Sequence, residues 1–245
     1  MWTPTALASE ARPRQGIIWR AVESQSIAST RKLVATLAEQ MLLEDILEES
    51  KPPVPAAAAH LHYLLKTPFR YDAPYPIGSR FRRANAPDGV FYGAEHIRTA
   101  LAELCYFRLR FFQESPGTPF PREHERLTVF SAGYRAARMI DLTTPPFDAA
   151  RDTWTHPTGY HATQTFADTA RAANIDIIRY ASVRDVQGIN LALLSPATFT
   201  HTQPTATQDW LLYLSANEAN CVRSGSVRSS DHWVFLFDRE VVGVV

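Results

Sequence analysis

Lysine is scarce in this 245-residue chain: it occurs only at positions 32, 51 and 66, although lysine and arginine together number 25. The positive charge is therefore almost all guanidinium, which offers planar, two-pronged contacts to anions wherever a fold converges it. An excess of one sign of charge is also missing. Aspartate plus glutamate number 25 as well, so the formal net charge is zero. That balance excludes a field able to gather nucleic acid or an anionic membrane surface non-specifically. Cysteine occurs twice, at Cys105 and Cys221, too few for a disulfide framework, and both read as buried thiols. No apolar run approaches the ~20 residues needed to span a bilayer. The N-terminus shows no basic segment followed by an apolar run and a small-residue cleavage site. A soluble cytoplasmic protein, with neither a membrane nor nucleic acid as a direct partner, is expected.

Several chemical motifs are absent. There is no G-x-G-x-x-G and no P-loop, which disfavours a Rossmann or Walker mode of nucleotide binding. There is no G-x-S-x-G nucleophile elbow, and the serines, Asp231 and His232 of RSGSVRSSDH are adjacent in sequence without implying a triad. The histidine pairs of HLH (60–62) and HPTGYH (156–161) lack the spacing and the thiols of a metal site, so no metal is expected.

The chain is 45% apolar and 20% charged, an ordinary globular balance, and long enough to bury a sizeable core. Residues 1–15 are polar and proline-containing and read as a loose tail, leaving one domain over 16–245. GIIWRAVE (16–23) is a β-type run. From Arg31 onward Leu33, Val34, Leu37, Ala38, Met41, Leu42 and Ile46 recur at helical spacing, KPPVP (51–55) stops the pattern, and AAAAHLHYLLK (56–66) reads as a second short helix. Residues 24–66 thus form a helical insertion, packed on the core or held for a partner. FRYDAPYPIGSRFRR (69–83) is a loop that delivers three closely spaced arginines. GVFYGA (89–94) is a strand and EHIRTALAELCYFRLRFF (95–112) a helix. LTVFSA (127–132) and RMIDL (138–142) are two further strands, and 158–173 has helical spacing. IDIIRYASV and INLALLSP are strands joined by the turn-like RDVQG, and WLLYLS and HWVFLFD supply the last strands. Strands and helices mix without βαβ alternation, which favours an α+β fold.

One carboxylate stands out. On a helical wheel at ~100° per residue, Ile97, Leu101, Leu104, Cys105, Phe111 and Phe112 form a broad apolar face, and Glu103 lies on its shoulder beside Ala100 and Phe107. Read alone, it is an exposed helix glutamate paired with Arg110 or Thr99. It is joined by Tyr92 on the preceding strand, by Arg80 on the proline- and glycine-containing loop, and by Ser182 at a strand end before a turn.

The ordered series RAVE, GSRFRR, GVFYGAEHIRTALAEL and YASVRDVQGINLALLSP resembles the RES domain, from about residue 16 to about 200, with 24–66 as extra material. The resemblance departs from the family at Arg82, where asparagine is common, and in the long separation of Glu103 from Ser182. It implies a mixed, split β-sheet around an NAD cleft, like that of diphtheria-toxin-type ADP-ribosyltransferases, with flanking helices. It also implies a toxin of a toxin–antitoxin pair that breaks the nicotinamide–ribose bond of NAD and passes ADP-ribose to phosphate, water or a protein. On that resemblance Arg20 and Arg80 grip the phosphates or the ribose region, Tyr92 lines the nicotinamide pocket, Glu103 is the catalytic acid residue and Ser182 helps hold the ribose. NAD is then a substrate, and the expected partner is a small helix-turn-helix-type antitoxin. A binding module without turnover is the competing class. The contacts of Arg82 and Arg184 stay open, as does the oligomeric state, a homo-oligomer included.

Overall fold

A computed structural model describes residues 2–24, 34–70, 78–115 and 117–237. Parts of the expected insertion (25–33, including Leu33) and of the arginine-bearing loop (71–77) lie outside these residues.

Most of the stretch expected as a tail takes up regular structure. Pro4–Glu10 form helix α1, with the Thr3 side chain accepting from the Ala6 N–H, and Leu7 fully buried. The prolines read as tail signals, but Pro4 sits in the first turn, where its missing N–H costs nothing. Strand β1 follows at once over Arg12–Glu23. It pairs antiparallel along strand β3 (Glu125–Asp141), from Arg12 opposite Met139 to Glu23 opposite Leu127. The sequence reads two strands where this one long strand exists. Gly133 looks like a break but serves a close approach: a Cβ there would lie 2.4 Å from Thr200 Oγ1, and the Thr200 N–H donates to the Gly133 carbonyl.

Strand β2 (Phe91–Ala94) meets β1 at Trp19–Ala94 and runs antiparallel to β5 (Ile189–Leu193), which is antiparallel to β4 (Ile177–Ala181). β4 is parallel to the last residues of β3, so the pairings β1–β2–β5–β4–β3–β1 form a closed circuit. The same edge of β3 pairs near its start with β6 (Ala206–Leu214), and β7 (Glu218–Arg223) and β8 (His232–Leu236) continue outward from β6. The sheet is therefore mixed and split along β3, within an α+β architecture, as expected. β7 is the strand the sequence reading missed. It is short and polar at Glu218, Asn220 and Arg223, and only Ala219 and Cys221 are buried.

Three apolar clusters fill the described structure. Helix α4 (Ile97–Glu114) lays Leu101, Cys105, Tyr106 and Leu109 against β1, β3, β6, β7 and β8 through Leu127, Val129, Trp210 and Cys221. Phe111, expected on that buried face, is instead half exposed. Cys105 and Cys221 are free thiols in this cluster with sulfurs 3.3 Å apart, and the hydrogen bond between them, with burial, pushes the Cys105 thiol well up. On another side α1, α5 (Arg151–Trp154) and α6 (His161–Ala172) bury Leu7, Trp154 and Phe166 against Ile140, Ile178 and Tyr180. Residues 54–69, including α3 (Tyr63–Lys66), cover the third cluster around Phe91, Phe130 and Leu191. Helix α2 (Leu37–Glu49) buries none of its residues. Among the described residues no helix is long and apolar enough to cross a membrane.

Candidate functional site

Helix α4 presents Ala100, Glu103, Leu104, Phe107 and Arg110, spaced three and four apart, to a cavity of about 330 Å³. The cavity lies at the lower end of the ~300–1,000 Å³ typical of ligand pockets.

The turn between β4 and β5 fixes Glu103. In the stretch from Ser182 through Asp185 to Gly188, the Ser182 N–H donates to the Gly188 carbonyl and the Gly188 N–H to the Asp185 carbonyl, both at 2.8 Å. The N–H groups of Arg184 and Asp185 donate to Ser182 Oγ at 3.1 Å. Asp185, 5% exposed, accepts from Thr99 Oγ1 at 2.7 Å and pairs with Arg98. Gly188 is required here, since a Cβ would meet Thr99 at 2.6 Å. Thr99 precedes Glu103 by one helical turn and shares its face, so docking Asp185 at the start of α4 carries Ser182 to the carboxylate. Glu103 Oε1 accepts from Ser182 Oγ at 2.7 Å and from Asn190 Nδ2 at 2.6 Å. Among the described residues Oε2 has no partner, and the carboxylate lines the cavity.

Tyr92 fastens the opposite wall. Ser79 and Arg82 close a tight turn through reciprocal backbone bonds, and Gln164 Nε2 donates to both of their carbonyls. The Tyr92 hydroxyl accepts from the Phe81 N–H at 2.9 Å and shares a hydrogen bond of 2.8 Å with Ser79 Oγ. Burial pushes this phenol up from its ordinary value. Arg80 projects from the turn, donating to the Trp154 carbonyl at 2.7 Å with its guanidinium 4.9 Å from the Tyr160 ring centre. Arg20 donates to the Tyr92 carbonyl at 2.7 Å and lies over the Phe91 ring.

Four of the five residues singled out from sequence, Arg20, Arg80, Tyr92 and Glu103, line one cavity. Ser182 does not: it is 5% exposed and sits behind Glu103, its hydroxyl spent on the carboxylate. Its position suits orienting Glu103 rather than touching a sugar. Arg82 also lies off the cavity, bonded to the Ala86 carbonyl, whereas Arg184 lines it with its guanidinium 3.4 Å from the Tyr106 ring centre. The sequence reading missed Asn190, Tyr160 and Tyr180. Asn190, a lone amide within the apolar run INLALL, carried a usable signal; Tyr160, just ahead of α6, carried none.

Among the described residues the lining therefore combines four arginines, one held carboxylate and three tyrosines. It suits an anionic ligand with a planar ring and a centre that becomes positive during reaction. The RES domain model matches residues 54–215, and the chain belongs to this family. Arg80, Tyr92, Glu103 and Ser182 fall inside the matched region. Arg20 and α2 precede it. A chain in the crystal structure of the M. tuberculosis MbcT–MbcA toxin–antitoxin complex is similar at a TM-score of 0.46 and 10% identity, with 83% of this chain and 91% of that chain covered. No curated protein matches the sequence.

Proposed function

We propose that this protein is a toxin that cleaves the nicotinamide–ribose bond of NAD and passes ADP-ribose to phosphate, with water as the second acceptor. The observation that carries the reading is Glu103, with one carboxylate oxygen held by Ser182 and Asn190 and the other left to the cavity.

The carbon–nitrogen bond breaks with its electron pair moving to the pyridinium nitrogen, so nicotinamide leaves neutral and needs no acid. The ribose becomes electron-poor at its anomeric carbon. A carboxylate already oriented in a shielded cleft stabilises that charge more than water would, because no reorganisation is needed as the charge develops. A phosphate oxygen then bonds to the same carbon. Arg20 and Arg80 suit the diphosphate, since a guanidinium fork bonds two oxygens at once. Arg110 pairs with Glu114, but the three other arginines around one carboxylate among the described residues still exceed what a dinucleotide diphosphate needs, which favours an anionic acceptor over water. Ser182 acts as a positioning residue. A cognate helix-turn-helix-type antitoxin and a cytoplasmic setting belong to the same proposal.

The test follows free nicotinamide after mixing purified protein with NAD, with and without phosphate. Phosphate-stimulated release is expected, as is growth arrest when the chain is expressed alone. Binding of NAD by folded protein without release would instead make this a nucleotide-binding module.

A further inference from the structure

Among the described residues three tyrosines line the cavity, and their hydroxyls differ in what they have left to give. Tyr92 is committed to Ser79 and to the Phe81 N–H, and Tyr160 donates to the Pro157 carbonyl at 3.2 Å. Tyr180, only 6% exposed, lines the same cavity, and among the described residues its hydroxyl has no hydrogen-bond partner. A hydroxyl that reaches the cavity without a protein partner is open to an acceptor on a bound molecule.

Its placement is fixed. Tyr180 lies on β4 directly opposite Asn190 on β5, so the side chain that steadies Glu103 and the tyrosine ring are cross-strand neighbours. The ring packs edge-on to Phe81, with centroids 4.9 Å apart, and so cannot easily swing away. Asn190 and Ser182 already bond Glu103 Oε1. Burial first, then the nearby Glu103 charge, hold the phenol well above its ordinary value. The group is therefore a proton donor throughout the physiological range. What it can serve is an acceptor on a ligand whose flat ring lies among the tyrosines.

We propose that Tyr180 is a substrate-binding residue whose hydroxyl donates to the carboxamide oxygen of the pyridinium ring. This rests on the NAD reading above. The contact belongs equally to the ground state and the transition state, so it strengthens binding without altering the chemical step.

The test uses Tyr180→Phe, which keeps the ring and its packing on Phe81. Binding is measured by calorimetry with NAD and with the dinucleotide whose pyridinium lacks the carboxamide, Glu103→Gln being present throughout to keep both ligands intact. Removing the hydroxyl is expected to weaken NAD binding about tenfold, the scale of one hydrogen bond, and to leave binding of the carboxamide-free dinucleotide unchanged. In the Glu103-containing protein, KM should rise about tenfold at unchanged kcat. Equal losses for both dinucleotides, or no loss for either, overturn the Tyr180 assignment and leave the NAD reading standing if the parent protein releases nicotinamide. Failure of the parent to bind NAD or release nicotinamide overturns both.

Discussion

Helices α4 and α2 both carry leucines and glutamates, yet they stand in opposite relations to the rest of the molecule. α4 buries eight of its 18 residues and carries a carboxylate anchored by two side chains from the facing strand and turn. α2 has 13 residues and buries none of them; Leu37, Met41, Leu42 and Ile46 are all more than half exposed. The difference lies in arrangement. On α4 the apolar residues gather against the sheet, and the cavity-facing positions form a separate stripe. On α2 the aliphatic residues of LAEQMLLEDILEE are spread more widely round the axis and interrupted by acids, and none of them is buried. Among the described residues its ties include the capping box of Thr36 and Glu39 and the pairing of Glu48 with Arg70 and Lys51. A carboxylate acquires chemistry where its surroundings orient it, and only α4 provides that.

The largest expected effect breaks the comparison at its chemical end. Glu103→Gln keeps the shape and an acceptor oxygen for Ser182 and Asn190 but removes the charge. It should lower nicotinamide release by at least ~10²-fold, the scale for losing one preorganised electrostatic contact, without changing the melting temperature. Glu44→Gln on α2 should leave release unaltered. Similar turnover in the two folded variants would remove Glu103 from the mechanism.

A second contrast concerns packing. Leu101→Ala empties a fully buried site on α4 and should cost about 2–5 kcal/mol in denaturant unfolding. Leu42→Ala, at a position 61% exposed, should stay within about 0.5 kcal/mol. A large loss at Leu42 would mean that α2 is covered in solution, by a second copy or another protein.

What could be read from sequence follows the same division. Glu103 was legible because a lone acid at the edge of an apolar helical stripe is a local pattern, and its strand-then-helix setting after Tyr92 is local too. The place of Ser182 was not. Whether a turn hydroxyl faces a ligand or a neighbouring carboxylate depends on how Asp185 docks on Thr99, 86 residues away in the chain. Tyr92 was read for its ring, but its hydroxyl also holds the Arg80 turn through a contact 11 residues distant. Long β3 was misread because Gly133 signals a break when viewed alone, and β7 was missed because its polar positions hide a two-residue alternation. The helical period of α2 was visible. That none of its residues is buried was not, since burial depends on the partner surface as much as on the helix.

The smallest effect tests what holds α2 in place of a core. An isolated helix of this length is marginal in water, so its start should depend on the reciprocal cap. There Thr36 Oγ1 accepts from the Glu39 N–H, while Glu39 accepts from the N–H groups of Ala35 and Thr36. Those backbone bonds hold the Glu39 carboxyl below its ordinary value of 4.5. A carboxylate whose folded value is depressed contributes stability above the unfolded value and loses it as pH falls through the folded one. The first turn of α2 should therefore fray as pH drops below about 4.5, read as faster exchange of the Glu39 and Gln40 amides, which bond to Thr36, after correction for intrinsic rates, while the amides of α4 stay protected. Thr36→Ala should produce the same fraying at neutral pH. If exchange in that turn changes with neither pH nor the substitution, the cap is not what holds the helix, and a covering surface must be.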